Sequence, residues 1–380
     1  MSYAINRRRL SAANDPNAVL SALLGPGFVN YRRAFARAEG GERPAAPLHL
    51  DVDVTTACNF HCPMCPAGST GHNFPGFRKG RFMDRRLYSR VLAEAAAFGL
   101  PSLRLGMTGE PLLIPNIAAW VAEAREAGVL DISLITNGRL LTPSLSRDLI
   151  AAGLTRLMIS VDAGTPETYA KVRPGGDWNL LLHNILGFLE ARGGSVPLLR
   201  ISFVEMSVNS GDREAFEDIF APLADYLSFQ RYHNILGAED TDFGREHDSA
   251  PATGFCAEPL TRLAVHVDGG LFPCCSDFGR QRPLGNLSAA DAFSPEPGPT
   301  GGASLPPCRS KAPLGHSLDA FSPKPGQTGR ASPQPRRSKA PLGPGGLLAV
   351  WNSKEANALT GPEAANHEPC RSCLNGHPKN

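Results

Sequence analysis

The chain has 380 residues, which at about 150 residues per domain corresponds to two or three domains. Its 38 Lys and Arg nearly balance its 36 Asp and Glu, which argues against a protein that coats nucleic acid or an anionic membrane. The hydrophobic fraction of 42% supports a sizeable core, and the sequence contains no apolar run of about 18 residues that would predict a membrane-spanning helix.

Residues 1–47 contain one predicted helix and end in a stretch rich in Gly and Pro. Arg7–Arg9, followed by an apolar stretch near Val19–Leu24, imitate a signal peptide. Asp15-Pro16 interrupt that pattern and Gly25-Pro26 end it early. We therefore expect an N-terminal extension of a cytoplasmic protein rather than a secretion signal.

Strand and helix patterns alternate over residues 48–235. The strand patterns are Leu48–Val54, Ser102–Met107, Asp131–Ile135, Arg156–Val161, Leu199–Val204 and Tyr226–Gln230. The predicted helix starts are Asp84, Asn116, Thr142 and Thr165. Such alternation favours parallel strands with right-handed crossovers.

The length of this region decides between two parallel architectures. A closed eight-unit barrel needs about 250 residues. The region from Leu48 to Tyr232 has about 185, so we predict a partial (β/α)6 barrel. An open doubly wound sheet is the alternative, but its G-x-G-x-x-G signature is missing after the first strand.

Residues 236–255 are predicted to be a linker, and residues 256–380 a small cysteine-rich domain. Leu263, Val265 and Val267 stand at alternate positions up to Asp268-Gly269, which predicts a β-hairpin.

Residues 291–345 contain an internal duplication. Gly and Pro make up 20 of these 55 residues, and Asp291–Gly315 recurs as Asp319–Gly343 with 19 of 25 positions identical. The two copies begin 28 residues apart, and a repeat period of this length also occurs in solenoids. Two copies without a helix or strand pattern favour a disordered insert instead. Cys308 has Arg336 at the equivalent place in the other copy, so we do not expect it to be a metal ligand.

The nine cysteines are clustered and odd in number, which favours a metal protein over a disulfide scaffold. Cys58, Cys62 and Cys65 follow the first strand directly. Three thiolates at this spacing can hold three irons of a cubane cluster and leave the fourth iron open. A structural zinc site needs four ligands, and the candidate fourth ligand, His61, is adjacent to Cys62 in sequence.

This C-x₃-C-x₂-C pattern after the first barrel strand resembles the radical S-adenosylmethionine (radical SAM) superfamily. Thr108-Gly109-Glu110-Pro111 is similar to the family's Gly-Gly-Glu-Pro motif, with Thr108 in place of the first glycine. Further motifs that are similar to the family's are Thr136-Asn137-Gly138, Ser160-Val161-Asp162, Pro166–Tyr169 and Arg173-Pro-Gly-Gly176. The resemblance covers about residues 48–289 and 349–373.

The resemblance implies that Cys58, Cys62 and Cys65 hold a 4Fe–4S cluster whose open iron binds SAM. An electron from a donor such as flavodoxin or ferredoxin then cleaves SAM, and the resulting 5′-deoxyadenosyl radical abstracts a substrate hydrogen. The implied SAM contacts are Gly109 and Glu110 for the amino group, Asn137, Ser160 and Asp162 for the ribose or carboxylate, and the backbone of Met64 for adenine.

Polar residues also follow the predicted strands at the carboxyl-terminal edge, where parallel barrels carry their chemistry. They are Glu110, Asn137, Asp162, Glu205 and His233. Helix capping and loop solvation are the structural alternative for each. For Glu205 and His233 no motif supports the functional interpretation, which would be substrate binding.

A second set of cysteines resembles the auxiliary-cluster domains called SPASM and twitch. The set is Cys256, Cys274 or Cys275, Cys370 and Cys373, with Cys274 the better match. It implies a single auxiliary 4Fe–4S cluster, because the full SPASM pattern needs further cysteines after the last pair. A zinc ribbon fits the same four ligands.

Three functions follow from these patterns. The first is a radical SAM enzyme that oxidises or rearranges a small molecule. The second is modification of a peptide or protein side chain. Residues 1–47 are shorter than the peptide-recognition domain of about 80 residues that many such relatives carry, so we expect the first. The third is a non-enzymatic Fe–S or zinc module. Such a module needs no SAM site, so the implied SAM contacts Glu110, Asn137 and Asp162 argue against it.

Overall fold

The computed structural model describes residues 15–65, 67–68, 77–232, 256–277, 280, 282–290 and 346–359. The strands are β1 (His49–Val52), β2 (Ser102–Leu105), β3 (Asp131–Thr136), β4 (Arg156–Ser160), β5 (Leu198–Glu205), β6 (Tyr226–Arg231), β7 (Arg262–Val265), β8 (Gly270–Phe272) and β9 (Gly285–Asn286). The helices are α1 (Pro16–Glu39), α2 (Arg85–Phe98), α3 (Ile117–Glu126), α4 (Pro143–Ala151), α5 (Pro166–Val172), α6 (Trp178–Arg192), α7 (Arg213–Phe220), α8 (Glu258–Thr261), α9 (Leu347–Trp351) and α10 (Lys354–Ala358). Short 3₁₀ turns cover Pro111–Leu113, Ser207–Asn209 and Leu287–Ala290.

All nine of these strands belong to one sheet, in the order β6-β5-β4-β3-β2-β1-β7-β8-β9. Every pair from β1 to β6 is parallel, and neighbours in the sheet are neighbours in the chain. A doubly wound sheet would reverse its strand order at a switch point. The unreversed order therefore confirms the partial (β/α)6 barrel.

The C-terminal hairpin does not form a separate sheet. β7 pairs with β1 in parallel, with Val52 opposite Val265, and β8 and β9 follow it antiparallel. The hairpin itself was predicted from its alternating pattern and its Asp268-Gly269 turn, but its attachment to β1 was not. The predicted linker (236–255) and insert (291–345) lie outside the described residues, so those domain boundaries stay predictions.

Local capping chemistry explains where the helices begin and end. The Asp84 carboxylate accepts from the backbone N–H of Arg86 at 2.7 Å, and Gly99 ends α2 at a φ of 70°. Thr142 caps α4 in the same way. Asn116 precedes α3 as predicted, but it has a φ of 54° and makes no capping bond through its side chain.

The two faces of the barrel sheet differ sharply in polarity. Alternate strand residues pack against the helices and are fully buried: Leu50, Val52, Leu103, Leu105, Ile132, Leu134, Leu157 and Ile159. The intervening residues on the inner face include buried ion pairs, Asp51 with Arg104 at 2.8 Å and Asp131 with Arg156 at 3.0 Å. The barrel interior is therefore lined by charge as well as by apolar side chains.

The helix α1 covers the amino-terminal edge of the sheet. Phe28 and Tyr31 form a second apolar cluster with Leu198 and Tyr226, which begin β5 and β6. The functional loops follow the opposite, carboxyl-terminal edge. The segment α1 is interrupted at Gly25, whose φ of 69° and ψ of −157° are not helical. None of the helices described above is both long and apolar enough to cross a membrane.

Candidate active site

A cavity of about 310 Å³ lies at the carboxyl-terminal edge of the sheet, between the loops that follow β1, β2 and β3. Its wall contains the three cysteines of the first predicted cluster, Cys58, Cys62 and Cys65. It also contains every predicted SAM-binding residue: Met64, Gly109, Glu110, Asn137, Ser160 and Asp162. The fold thus brings positions that are far apart in sequence to one space.

The cysteine loop is held by backbone bonds to its surroundings. Cys62 is only 4% exposed, while Cys58 and Cys65 are half-buried. The N–H of Cys65 donates to the carbonyl of Cys62 at 3.1 Å, which closes a turn. A Cβ at Gly68 would lie 2.4 Å from the backbone N and O of Cys62, so only glycine fits there. The sequence analysis did not single out Gly68.

The chemistry of these thiols fits an iron–sulfur cluster. Burial raises the pKa of Cys58, and it raises the pKa of Cys62 to about 12, although the charge of Arg173 acts in the opposite direction. Buried thiols become thiolates when a positively charged metal centre compensates their charge, and thiolates are the ligands of such clusters. His61, the fourth ligand of the zinc alternative, is exposed and does not line the cavity. Within the described ranges, no three His, Cys, Asp or Glu side chains converge on a position for a single metal ion.

Gly109 and Glu110 fasten the segment after β2 to the cysteine loop. Their N–H groups donate to the carbonyls of Thr55 at 3.1 Å and Ala57 at 2.8 Å. A Cβ at Gly109 would lie 2.3 Å from the Thr55 carbonyl oxygen, so the close approach of the two backbones requires glycine.

The Glu110 carboxylate is 3% exposed and receives three hydrogen bonds. Oε1 accepts from the backbone N–H of Leu112 at 3.1 Å and from the Thr136 hydroxyl at 2.6 Å, and Oε2 accepts from the N–H of Asn137 at 2.7 Å. Burial raises the pKa of Glu110 to about 6, and these donors oppose that rise. Since a carboxylate has about four acceptor positions, one remains for a ligand.

Asn137 supports the cysteine loop from the end of β3. Its side-chain amide donates to Oδ1 of Asn59 at 2.7 Å and lies 4.0 Å from Sγ of Cys58. Its Oδ1 accepts from the N–H of Arg139 at 3.1 Å. This positioning role accompanies the predicted ligand contact and does not depend on it.

Asp162 is fully buried and has a φ of 61°, which is rare for a residue with a side chain. Its Oδ1 accepts from the N–H of Val204 at 2.8 Å, and its other oxygen forms an ion pair with Arg173. Asn209 donates to its backbone carbonyl at 2.8 Å. Asp162 thus holds Arg173 at the cavity wall.

Another part of the cavity wall carries polar side chains of which the sequence motifs had identified only Cys275, as the alternative to Cys274. They are Arg104, Gln230, Tyr232, Cys275 and Ser276. Arg104 pairs with the fully buried Asp51 at 2.8 Å and lines the same part of the wall as the thiol of Cys275.

The remaining candidates divide into three groups. Glu205 is paired with Arg213 and does not line the cavity. Of the second set of cysteines, Cys256 and Cys274 are described and half-buried, whereas Cys275 is 8% exposed and faces the cavity. Cys370, Cys373, Cys308 and His233 lie outside the described residues.

Two further site residues, Arg173 and Thr108, belong to motifs that the sequence shows. Arg173 begins the Arg173–Gly176 motif, but the motif alone does not say which side chain Arg173 contacts. Thr108 departs from the family's glycine, and the structure supplies the reason. Its N–H and hydroxyl donate to the buried carboxylate of Asp53 at 3.1 and 2.6 Å, so the two residues form a pair.

Comparison with known proteins supports the same domain. The family model of the radical SAM superfamily matches residues 52–196. A GTP 3′,8-cyclase of Acidothermus cellulolyticus is 29% identical over 223 residues, which are 57% of this chain and 58% of that protein. A PqqA peptide cyclase of Ruegeria pomeroyi is 35% identical over 163 residues, which are 42% of this chain and 41% of that protein. The chain thus spans about half the length of these two relatives.

Solved structures show the same fold. The crystal structure of Streptococcus suis SuiB bound to the precursor peptide SuiA matches with a TM-score of 0.51 and 15% identity, over 71% of this chain and 67% of that one. The family match over residues 52–196 includes the cysteine loop and the cavity segments after β2, β3 and β4. Residues 52–196, which build most of the cavity wall, thus match the radical SAM superfamily.

Proposed function

We propose that the chain uses a SAM-derived radical to abstract a hydrogen atom from a small polar molecule. The observation that carries this proposal is a cavity whose wall holds the three loop cysteines and all six predicted SAM contacts. When bound there, a 4Fe–4S cluster and SAM supply the 5′-deoxyadenosyl radical.

The residues of the chain bind and orient these groups. Cys58, Cys62 and Cys65 would hold the cluster. Glu110 is fixed by its three donors, and its remaining acceptor position suits the ammonium of SAM. Ser160, which ends β4 at the cavity, would contact the ribose or the carboxylate.

The substrate class follows from the part of the cavity wall that is not assigned to the cluster or to SAM. Five polar side chains line it, including a guanidinium, so a polar molecule would find hydrogen-bond partners there. The GTP 3′,8-cyclase relative, whose name specifies a nucleotide, supports a small-molecule substrate. The PqqA peptide cyclase relative supports the second candidate, which is modification of a peptide side chain.

Anaerobic reconstitution followed by reduction tests the proposal. The loaded protein should convert SAM to methionine and 5′-deoxyadenosine, and the variant C58A/C62A/C65A should not. Deuterated candidate substrates then decide the class, because the abstracted deuterium appears in 5′-deoxyadenosine. Transfer from a peptide but not from small molecules would favour the second candidate. A fully loaded protein that never forms 5′-deoxyadenosine would exclude both.

We also propose a second 4Fe–4S cluster on Cys256, Cys274, Cys370 and Cys373. The loaded chain should then contain about eight irons, and C58A/C62A/C65A about four. Cys275 is the matched control for Cys274: C274S should lose about four irons, whereas C275S should keep all of them, because Cys275 lines the cavity wall with Arg104. Four irons and one zinc in the parent protein would identify the site as a zinc ribbon.

A further inference from the structure

The guanidinium of Arg173 lies against the most buried thiol of the cysteine loop. Its Nη1 is 3.9 Å from Sγ of Cys62, and its other terminal nitrogen pairs with Asp162. The side chain is 14% exposed, and its Nε is buried without a hydrogen-bond partner among the described residues. A charged group thus reaches one of the three sulfur atoms directly.

Both ends of this contact are fixed by the backbone. Asp162 is anchored by the N–H of Val204 at 2.8 Å, as described above. On the other side, the carbonyl of Pro174, the residue after Arg173, accepts from the N–H of His61 at 2.9 Å. The segment that carries the cation is therefore tied to the residue that precedes Cys62.

The other thiol with described contacts receives neutral donors. Cys58 accepts from the N–H of Phe60 at 3.5 Å and lies 4.0 Å from the amide of Asn137. The charge of Arg173 is permanent, since a guanidinium does not lose its proton in proteins. A fixed cation beside a ligand sulfur favours the more negative, reduced form of a cluster, and hydrogen bonds to the sulfurs act in the same direction.

We propose that Arg173 is a positioning residue that holds Sγ of Cys62 and raises the reduction potential of the cluster bound by the loop. Asp162 orients the guanidinium and offsets part of its charge. This inference rests on the proposed function, because it requires a cluster at Cys58, Cys62 and Cys65.

The test measures the midpoint potential of the reconstituted full-length protein by redox titration followed by electron paramagnetic resonance. The titration is run without SAM, so that a lost contact to SAM cannot contribute. Adding SAM afterwards identifies which signal belongs to this cluster. R173Q removes the charge and should shift the potential to a more negative value, whereas R173K keeps the charge and should restore most of the parent value.

A substitution at Asp162 should shift the midpoint potential in the opposite direction. D162N keeps an acceptor for the N–H of Val204 but removes the negative charge, so the potential should become more positive. The matched control is R139Q, because Arg139 also bonds to the Arg173–Gly176 segment, at the carbonyl of Gly175, without contacting a cysteine. Its potential should equal that of the parent.

Iron retention provides a second readout. Residues that support metal ligands from outside typically contribute 10- to 100-fold in metal affinity, so R173Q should lose iron to a chelator about 10- to 100-fold more readily than R139Q. A fully loaded R173Q with an unchanged potential, or D162N and R173Q shifting in the same direction, would overturn the inference alone. A parent protein that binds no cluster would overturn the proposed function as well.

Discussion

Glu110 connects three segments of the site, because its carboxylate accepts from two residues after β2 and β3 and its N–H donates to the cysteine loop. Glu110→Gln keeps the shape but removes the charge that would face the SAM ammonium. A charge-assisted hydrogen bond contributes about 1.5–3 kcal/mol, so SAM affinity should fall roughly 10- to 100-fold. Equilibrium binding of SAM to the loaded protein measures this loss.

Glu205 is the matched control for that experiment. It also ends a strand at the carboxyl-terminal edge, but it pairs with Arg213 and does not line the cavity. Glu205→Gln should therefore bind SAM as the parent does. Full iron content with unchanged SAM affinity in Glu110→Gln would remove Glu110 from the binding site.

Asp53 should make the stability of the fold depend on pH. Burial raises the pKa of Asp53 to about 6, and the two bonds from Thr108 oppose that rise. Because the folded state holds this proton more tightly than the unfolded state, the free energy of unfolding falls as the pH rises from about 4 to about 6. A rise of about two pKa units corresponds to about 3 kcal/mol.

Asp53→Asn isolates this contribution, since an amide does not titrate. Denaturant unfolding of the iron-free chain from pH 4 to pH 7 should show the variant gaining stability relative to the parent as the pH rises, and a constant difference above about pH 7. Thr108→Gly removes the hydroxyl donor, so the pH range over which Asp53 titrates and stability falls should be higher in this variant than in the parent. Parallel curves for parent and Asp53→Asn would contradict the raised pKa.

The sequence predicted the positions of the site residues better than it predicted their hydrogen-bond partners. Glu110, Asn137 and Asp162 were predicted from motifs that resemble the radical SAM family. Their places after strands agreed with that assignment, because the parallel sheet brings such positions to one edge. Their partners were not predictable, because bonds such as Asn137 to Asn59 depend on the distance between separate loops. Arg173 was missed as a site residue for the same reason.

The elements of the barrel were predictable because their signals are local. Asp84 with Gly99 and Thr142 with Pro143 mark helix ends by hydrogen bonding and by backbone conformation. The attachment of β7 to β1 has no such signal. It joins segments about 200 residues apart in the sequence, and the pairing is set by packing rather than by any pattern within either strand.

The helix α1 illustrates an element whose place in the fold was not predicted. Phe28 is fully buried against the amino-terminal edge of the sheet, whereas Leu23, which precedes the interruption of α1 at Gly25, is 56% exposed. Phe28→Ala should lower the free energy of unfolding by about 3–5 kcal/mol, and Leu23→Ala by less than about 0.5 kcal/mol. Equilibrium unfolding in denaturant compares the two.

The location of α1 adds a second expectation. Since the helix lies opposite the loop cysteines, folded Phe28→Ala should bind iron and SAM as the parent does. Equal losses of stability in the two variants would show that α1 is not packed as described. A loss of SAM affinity in Phe28→Ala alone would show that the two edges of the barrel are coupled.

For the whole molecule, the described residues on either side of the duplicated segment lie side by side. A Cβ at Gly285 would be 2.7 Å from the side chain of Val350, which shows how closely β9 and α9 approach. The Glu94 carboxylate of α2 accepts from the N–H of Leu347, and the turn at Leu287–Ala290 also contacts α2. The described residues before and after this segment thus lie beside the same helix, α2.

This proximity makes the segment removable. Deletion of residues 291–345, with a short Gly-Ser linker between Ala290 and Gly346, should leave the fold, the iron content and SAM cleavage intact. The segment contains few large apolar side chains, so it contributes little burial to offset about 1–2 kcal/mol of backbone entropy for each ordered residue. Shortening a loop lowers its closure cost by only about 0.6 kcal/mol per halving of length, so no large gain in stability is expected either.

Cys308→Ala in the full chain is the control that separates the two ways in which this deletion could fail. Cys308 has Arg336 at the equivalent place in the second copy, and a ligand required by a cluster would not be expected in one copy alone. The variant should therefore keep about eight irons. Loss of about four irons in Cys308→Ala would make the segment part of the auxiliary site, whereas full iron in Cys308→Ala with a collapsed deletion variant would show that the segment supports the fold itself.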